Sequence, residues 1–284
     1  MMVDTPTPST ISYTFACKEE LQDELIALLE NDGVSGFHQE DSEMTVFCEA
    51  YAAERVAQLL DTSLARYLDG IPVRREIAQR NWNAEWEKTI QPIPAGQFRI
   101  RPTWHESPVP EGMIDIIVDP KMSFGTGYHE STRLLLYRIG DMVEKGDKVL
   151  DAGTGTGVLA FAALLAGAAT ADAFDTDPLC IKNATENAVL NGMQDRFQVY
   201  EGNETVAPDS DYDVVLANIN REALRSMLPT LRNLLRPDGL LGMAGLLKTD
   251  REVMRASIEA ASMVMVDESD EGEWWSVWVK KTAK

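Results

Sequence analysis

The segment Lys148-Val149-Leu150-Asp151-Ala152, continuing through Gly153-Thr154-Gly155-Thr156-Gly157 into Val158-Leu159-Ala160, constrains this fold more than any other. An apolar run closes on an acid, three alternating glycines follow, and a run of small and apolar residues comes next. Glycine adopts positive φ without penalty, so such a loop turns sharply and lets the backbone approach a ligand closely. The helix predicted after it begins with unpaired N–H groups facing the same point. A second acid, Asp175, closes the next apolar run, Ala171-Asp172-Ala173-Phe174. Strand, glycine loop, helix, strand and acid in that order predict a doubly wound α/β sheet with a ribose-binding site at its carboxyl edge.

The spacing separates two ligand classes. A dinucleotide fingerprint reads G-x-G-x-x-G and cradles a pyrophosphate. This loop reads G-x-G-x-G, with Asp151 just ahead of it. In that form it resembles motif I of the class I methyltransferases, which bind S-adenosylmethionine (SAM). Such a site holds no pyrophosphate. It needs room for the methionine portion and an acceptor for two ribose hydroxyls. An ionised carboxylate is acceptor-only and takes both O–H groups, which assigns that task to Asp175. NAD is the alternative cofactor that the bare loop leaves open.

Residues 9–78 predict a small α+β unit. Thr10 to Phe15 alternates as a strand does. Leu21, Leu25, Leu28 and Leu29 mark a helix from Lys18 to Asn31, stopped near Gly33. A hairpin joins 37–41 to 44–48, a second helix covers about 52–68, and 71–77 is a last strand. The order β-α-β-β-α-β is the ferredoxin-like split motif. Residues 79–112 read as a connector broken by Pro92, Pro94, Pro102, Pro108 and Pro110, in which Trp82 and Trp86 share a helix face. From 113 to 284 strands (114–118, 148–152, 170–175, 196–200, 213–217, 238–244) alternate with helices (130–144, 156–167, 178–191, 220–235, 249–261). That alternation predicts a mostly parallel sheet covered on both faces. The last two strands, 262–268 and 273–280, follow each other around Ser269–Gly272 with no helix between them. They form an antiparallel hairpin, an ending that departs from a dinucleotide domain and favours SAM.

The chain carries 26 basic and 46 acidic residues, a net charge of −20. A phosphate backbone is met by a basic face, so no direct nucleic-acid binding is expected. Residues 1–78 hold 15 acidic and 5 basic residues, half of the net charge, which suits a basic protein partner. These residues therefore read as a substrate-recognition domain. No apolar run approaches a membrane span, and Met1 to Pro6 lacks the basic region and apolar core of a signal peptide. The expected location is the cytoplasm. Cys17, Cys48 and Cys180 show neither metal nor disulfide spacing and read as small core residues, with no metal site expected.

Three further segments are distinctive: Asp119-Pro120-Lys121-Met122-Ser123-Phe124-Gly125-Thr126-Gly127-Tyr128-His129-Glu130-Ser131-Thr132, Asp213-Val214-Val215-Leu216-Ala217-Asn218-Ile219, and Gly245-Leu246-Leu247. With Trp82 to Trp86 and the Trp-containing last strand, they resemble the PrmA family over nearly the whole chain. The resemblance implies a class I SAM-dependent methyltransferase, a Rossmann-like sheet with a terminal antiparallel strand, behind a ferredoxin-like domain. It implies methylation of a basic ribosomal protein, large-subunit protein eleven. It also implies SAM contacts at Phe124, Gly125, Thr132, Gly153, Gly155, Asp175 and Asn218. The chain has Tyr128, Glu130 and Ser131 where the family has Thr, Pro and Thr, and Asn220-Arg221 where it has Leu-Ala.

Asn218 is also the expected catalytic residue. It closes a parallel strand at the edge where ligands bind, and its amide oxygen suits an amine N–H. His129 reads equally as a helix cap or a substrate contact. Two rival functions remain at this point: a small-molecule amine methyltransferase, and a non-catalytic SAM-binding factor associated with the ribosome.

Overall fold

The computed structural model describes residues 10–29, 33–77, 90–119, 127–208 and 210–282. The chain divides into two compact units, 1–82 and 83–284.

In the first unit, β1 (Thr10–Ala16), α1 (Glu19–Leu29), β2 (Val34–Gln39), β3 (Glu43–Glu49), α2 (Ala53–Asp61) and β4 (Asp69–Ile77) follow the split order. The sheet order is β2-β3-β1-β4, with every described pairing antiparallel. Alternation turns Ile11, Tyr13 and Phe15 to one face, where Leu25, Leu29, Val56 and Leu60 from the helices cover them. The second helix is shorter than its periodicity predicts. Asp61-Thr62-Ser63 favour local hydrogen bonding over the helix, Thr62 leaves helical geometry, and a separate 3₁₀ turn forms at Ala65–Tyr67.

The second unit opens with β5 (Ile93–Ala95), β6 (Phe98–Arg101) and β7 (Ile114–Ile117) in a small sheet of their own. Sequence reasoning placed 93–101 in a connector and assigned 114–118 to the alternating strands of the main sheet. Both differ in the structure. Pro94 lies in the outer strand of this sheet, where no donor is required, and so does not prevent pairing. Ala95, Phe98, Ile100 and Ile116 are buried in the unit's core.

The main sheet contains β8 (Lys148–Ala152), β9 (Thr170–Asp175), β10 (Phe197–Glu201), β11 (Tyr212–Asn218), β12 (Leu235–Leu247), β13 (Met263–Glu271) and β14 (Trp274–Lys281). Its order is β10-β9-β8-β11-β12-β14-β13. β8 to β12 pair in parallel, and β14 runs antiparallel between β12 and β13. Helices α3 (Glu130–Met142), α4 (Val158–Ala166) and α5 (Pro178–Leu190) cover one face, and α6 (Arg221–Leu234) and α7 (Arg251–Ala260) the other. The near-continuous apolar character of α4 follows from its position, since Val158 to Leu164 are all buried. The last hairpin turns at Gly272, whose φ is 56°; β13 runs longer than the sequence indicated, and β14 keeps its expected length one residue further along. Among the described residues, no helix is long and apolar enough to cross a membrane.

Candidate active site

β8 pairs with β9 on one side and β11 on the other. The helix after β8 lies on one face and the helix after β11 on the opposite face, so a crevice opens between their carboxyl ends. Gly153, Gly155 and Gly157 bend the chain there with φ of 71°, 56° and 89°. A Cβ on Gly153 would stand 2.5 Å from Cγ2 of Ile219, and one on Gly157 2.5 Å from Cζ of Phe161. The Phe174 carbonyl accepts from the N–H groups of Gly153 (2.9 Å) and Thr154 (3.1 Å), which fixes the loop against β9.

The two acids differ in kind. Asp151 is wholly buried; its Oδ2 accepts from the Thr154 hydroxyl at 2.7 Å and from the Ala160 N–H at 3.3 Å. It ties loop to helix. Its Oδ1 is buried with no partner. Burial lifts this carboxyl to about 7; the Thr154 and Ala160 bonds oppose that rise, and neighbouring Asp175 adds to it. Asp175, at the end of β9, is partly exposed. It accepts from Gly155 N–H at 2.9 Å and Asp177 N–H at 3.0 Å. A carboxylate has about four lone-pair sites, so capacity for ribose hydroxyls is left over.

Asn218 ends β11, 9% exposed, and its Nδ2 donates to the Thr132 hydroxyl at 2.9 Å. Thr132 is fully buried in the first turn of α3. The Asn218 Oδ1 is buried and has no partner. A cavity of about 480 Å³ opens here, lined by Gly153, Gly155, Asp175, Asn203, Asn218 and Met227 among others. A smaller hollow across the loop is shared by Thr132, Val158 and Asn218. Thr132, Gly153, Gly155, Asp175 and Asn218 are thus brought together as the sequence predicted. Phe124 and Gly125 lie outside the described residues, as do Trp82 and Trp86. His129 caps α3, its Nδ1 accepting from the Ser131 N–H, and its ring meets Trp274 edge-on at 4.3 Å between centroids.

Sequence reasoning missed several residues at this site. Asn203 follows β10 and Met227 sits on α6, and both line the cavity. The position of Asn203 after a parallel strand was a usable signal. The buried Asn187 donates to the Thr156 carbonyl at 3.0 Å and accepts from the Asp119 N–H at 3.1 Å. It links the glycine loop to the chain entering the Phe124 segment, a contact that spacing along α5 does not reveal.

These residues fit SAM. The cavity lies within the usual range for small-molecule sites, about 300–1,000 Å³. The glycines leave the cradle open, Asp175 keeps acceptor capacity, and Asn218 presents an unmet acceptor. The placement of β14 between β12 and β13 is also foreign to a dinucleotide domain.

Residues 10–282 match the family described as ribosomal protein L11 methyltransferase (PrmA). The chain belongs to this family. A PrmA relative from Chlorobaculum tepidum, named ribosomal protein L11 methyltransferase, is 33% identical over 283 residues, 96% of this chain and 97% of its own. One from Thermus thermophilus with the same name is 36% identical over 203 residues, 71% of this chain and 78% of its own. The crystal structure of ribosomal protein L11 methylase from Lactobacillus delbrueckii subsp. bulgaricus superposes with a TM-score of 0.64 at 27% identity, over 68% of this chain and 100% of that one. As a PrmA family member with this sheet, the chain is a SAM-dependent methyltransferase.

Proposed function

We propose that this protein methylates amines of ribosomal protein L11, lysine side chains, the N-terminal amine or both. The observation that carries the chemistry is the buried, unpartnered Oδ1 of Asn218 at the carboxyl end of β11. When bound, SAM supplies a methyl group already activated on a sulfonium. What remains for the chain is to desolvate the amine and aim its lone pair. An α-amine has an ordinary pKa of about 8 and a lysine about 10.4. Burial disfavours the charged form, which helps the lysine most. Asn218 Oδ1 accepts an amine N–H, and Thr132 holds the amide in place from the other side. Most of the acceleration is then orientation.

We assign recognition of the protein substrate to the acidic residues 1–78, within the first unit, with chemistry in the second. Tyr51, Ile71 and Val73 stand exposed on the first unit, an apolar complement to its charge. A basic ribosomal protein in the cytoplasm suits such a surface. Incubation of the protein with methyl-labelled SAM and a mixture of ribosomal proteins tests the assignment. One labelled band at L11 is expected. Label on a metabolite alone, or SAM bound without any transfer, would replace the proposal with one of the two rivals.

A further inference from the structure

We propose that a second cavity, between α6 and α7, binds a small organic oxyanion, a carboxylate or phosphate ester carried on an apolar body. The cavity measures about 380 Å³. Arg225 and Arg232 line it from α6, seven residues apart and hence two turns along one face. Ser257 faces them from α7. The lining contains no acid, in a chain whose 46 acidic residues outnumber its 26 basic ones.

The state of the Arg232 guanidinium points to a missing acceptor. Elsewhere on these elements the arginines meet carboxylates through their guanidinium groups: Arg221 with Asp250, Arg251 with Asp270, Arg255 with Glu268; the Arg251 Nε is itself buried without an acceptor, but its Nη2 is paired. Arg232 makes no ion pair or hydrogen bond among the described residues, and its Nε is buried without an acceptor. Arg225 reaches only long contacts, 3.4 Å to the Ser257 hydroxyl and 3.5 Å to Glu222. A helix C-terminus attracts a cation, but that attraction acts at a distance and leaves a buried N–H unmet. A planar guanidinium fork matches a carboxylate or a phosphate.

The rest of the wall specifies the body of the ligand. Leu228, Pro229 and Ala260 make an apolar side. Pro229, inside α6, has no N–H to continue the helical ladder, which loosens the turn between the two arginines. The volume suits a small molecule. This cavity is distinct from the cofactor cavity, which borders α6 through Ala223 and Met227 instead.

The test follows the arginine Nε–H signals of the full-length protein by NMR during titration with phenyl phosphate, benzoate and inorganic phosphate. A saturable shift of the Arg232 signal is expected with phenyl phosphate or benzoate, half-saturating at a concentration at least tenfold below that of inorganic phosphate. The tighter of the two organic anions identifies the head group. Arg232→Gln should weaken that binding at least tenfold while SAM affinity stays within twofold. Ala260→Trp fills the cavity without changing charge, and should abolish binding too. A shift that rises linearly without saturation, equal affinity for inorganic phosphate, or binding that survives both substitutions would overturn the proposal and leave Arg232 a helix-terminal charge.

Discussion

Replacing Asp175 by alanine removes an acceptor that serves the protein and, in the proposed assignment, the cofactor as well. Within the protein its two oxygens hold the Gly155 and Asp177 N–H groups, at 2.9 and 3.0 Å. The remaining lone pairs face the cavity, where the ribose hydroxyls of SAM are to bind. A hydrogen bond to a charged group contributes about 1.5–3 kcal/mol. Loss of that contribution on the cofactor side alone predicts a rise in Kd of roughly ten- to 150-fold. Release of Gly155 loosens the loop as well, so the upper part of that range is expected. Asp175→Asn keeps one neutral acceptor oxygen and should lose less. Isothermal titration with SAM measures both variants, with thermal unfolding run alongside to establish that each is folded. A folded Asp175→Ala protein that binds SAM within twofold of the wild type would refute the assignment, and NAD binding in place of SAM would overturn the cofactor reading as well.

Gly153→Ala places a Cβ 2.5 Å from Ile219 at a φ of 71°; a stability loss of about 1–3 kcal/mol and weakened SAM binding are expected from denaturant melts and calorimetry. Asn218→Ala should retain measurable SAM binding while turnover falls roughly a hundredfold, and near-normal single-turnover rates would remove Asn218 from the mechanism. Asp151 has a folded pKa raised by burial to about 7. For an acid this means the folded state holds the proton longer than the unfolded one, so stability falls as pH rises from about 4 to about 7, by about 1.4 kcal/mol per unit within that window. Asp151→Asn should lack that slope, which unfolding midpoints of the SAM-free protein across the window will show by difference. A truncated chain beginning near residue 79 should bind SAM but methylate intact L11 poorly, whereas the full-length rate should fall with added salt as screening weakens electrostatic steering; equal rates from two folded proteins would assign the acidic residues to solubility alone.

The parts of the site legible in the sequence are those whose chemistry is local. Gly153 to Gly157, Asp151 and Asp175 announce themselves because a sharp turn at a strand end tolerates few other residues. Asn218 was readable from its place at the end of an apolar strand. Thr132 came only through resemblance, because its partner lies 86 residues away in sequence. The small β5-β6-β7 sheet was hidden for another reason. Prolines there look like breaks, yet an outer strand has a free side on which the missing N–H costs little. Asn187 and Arg232 are ordinary polar residues on helices, and only the packed structure gives the one side-chain partners at Thr156, Asp119 and Asn183 and leaves the Nε of the other without any.

The most direct test of the central claim is intact-mass analysis of purified ribosomal protein L11 after incubation with this protein and SAM. The account predicts that L11 gains mass in steps of one methyl group, at lysines or the N-terminal amine, and that the Asn218→Ala protein produces that gain far more slowly. An unchanged mass of L11, under conditions where the protein is folded and SAM is shown to be bound, would contradict it.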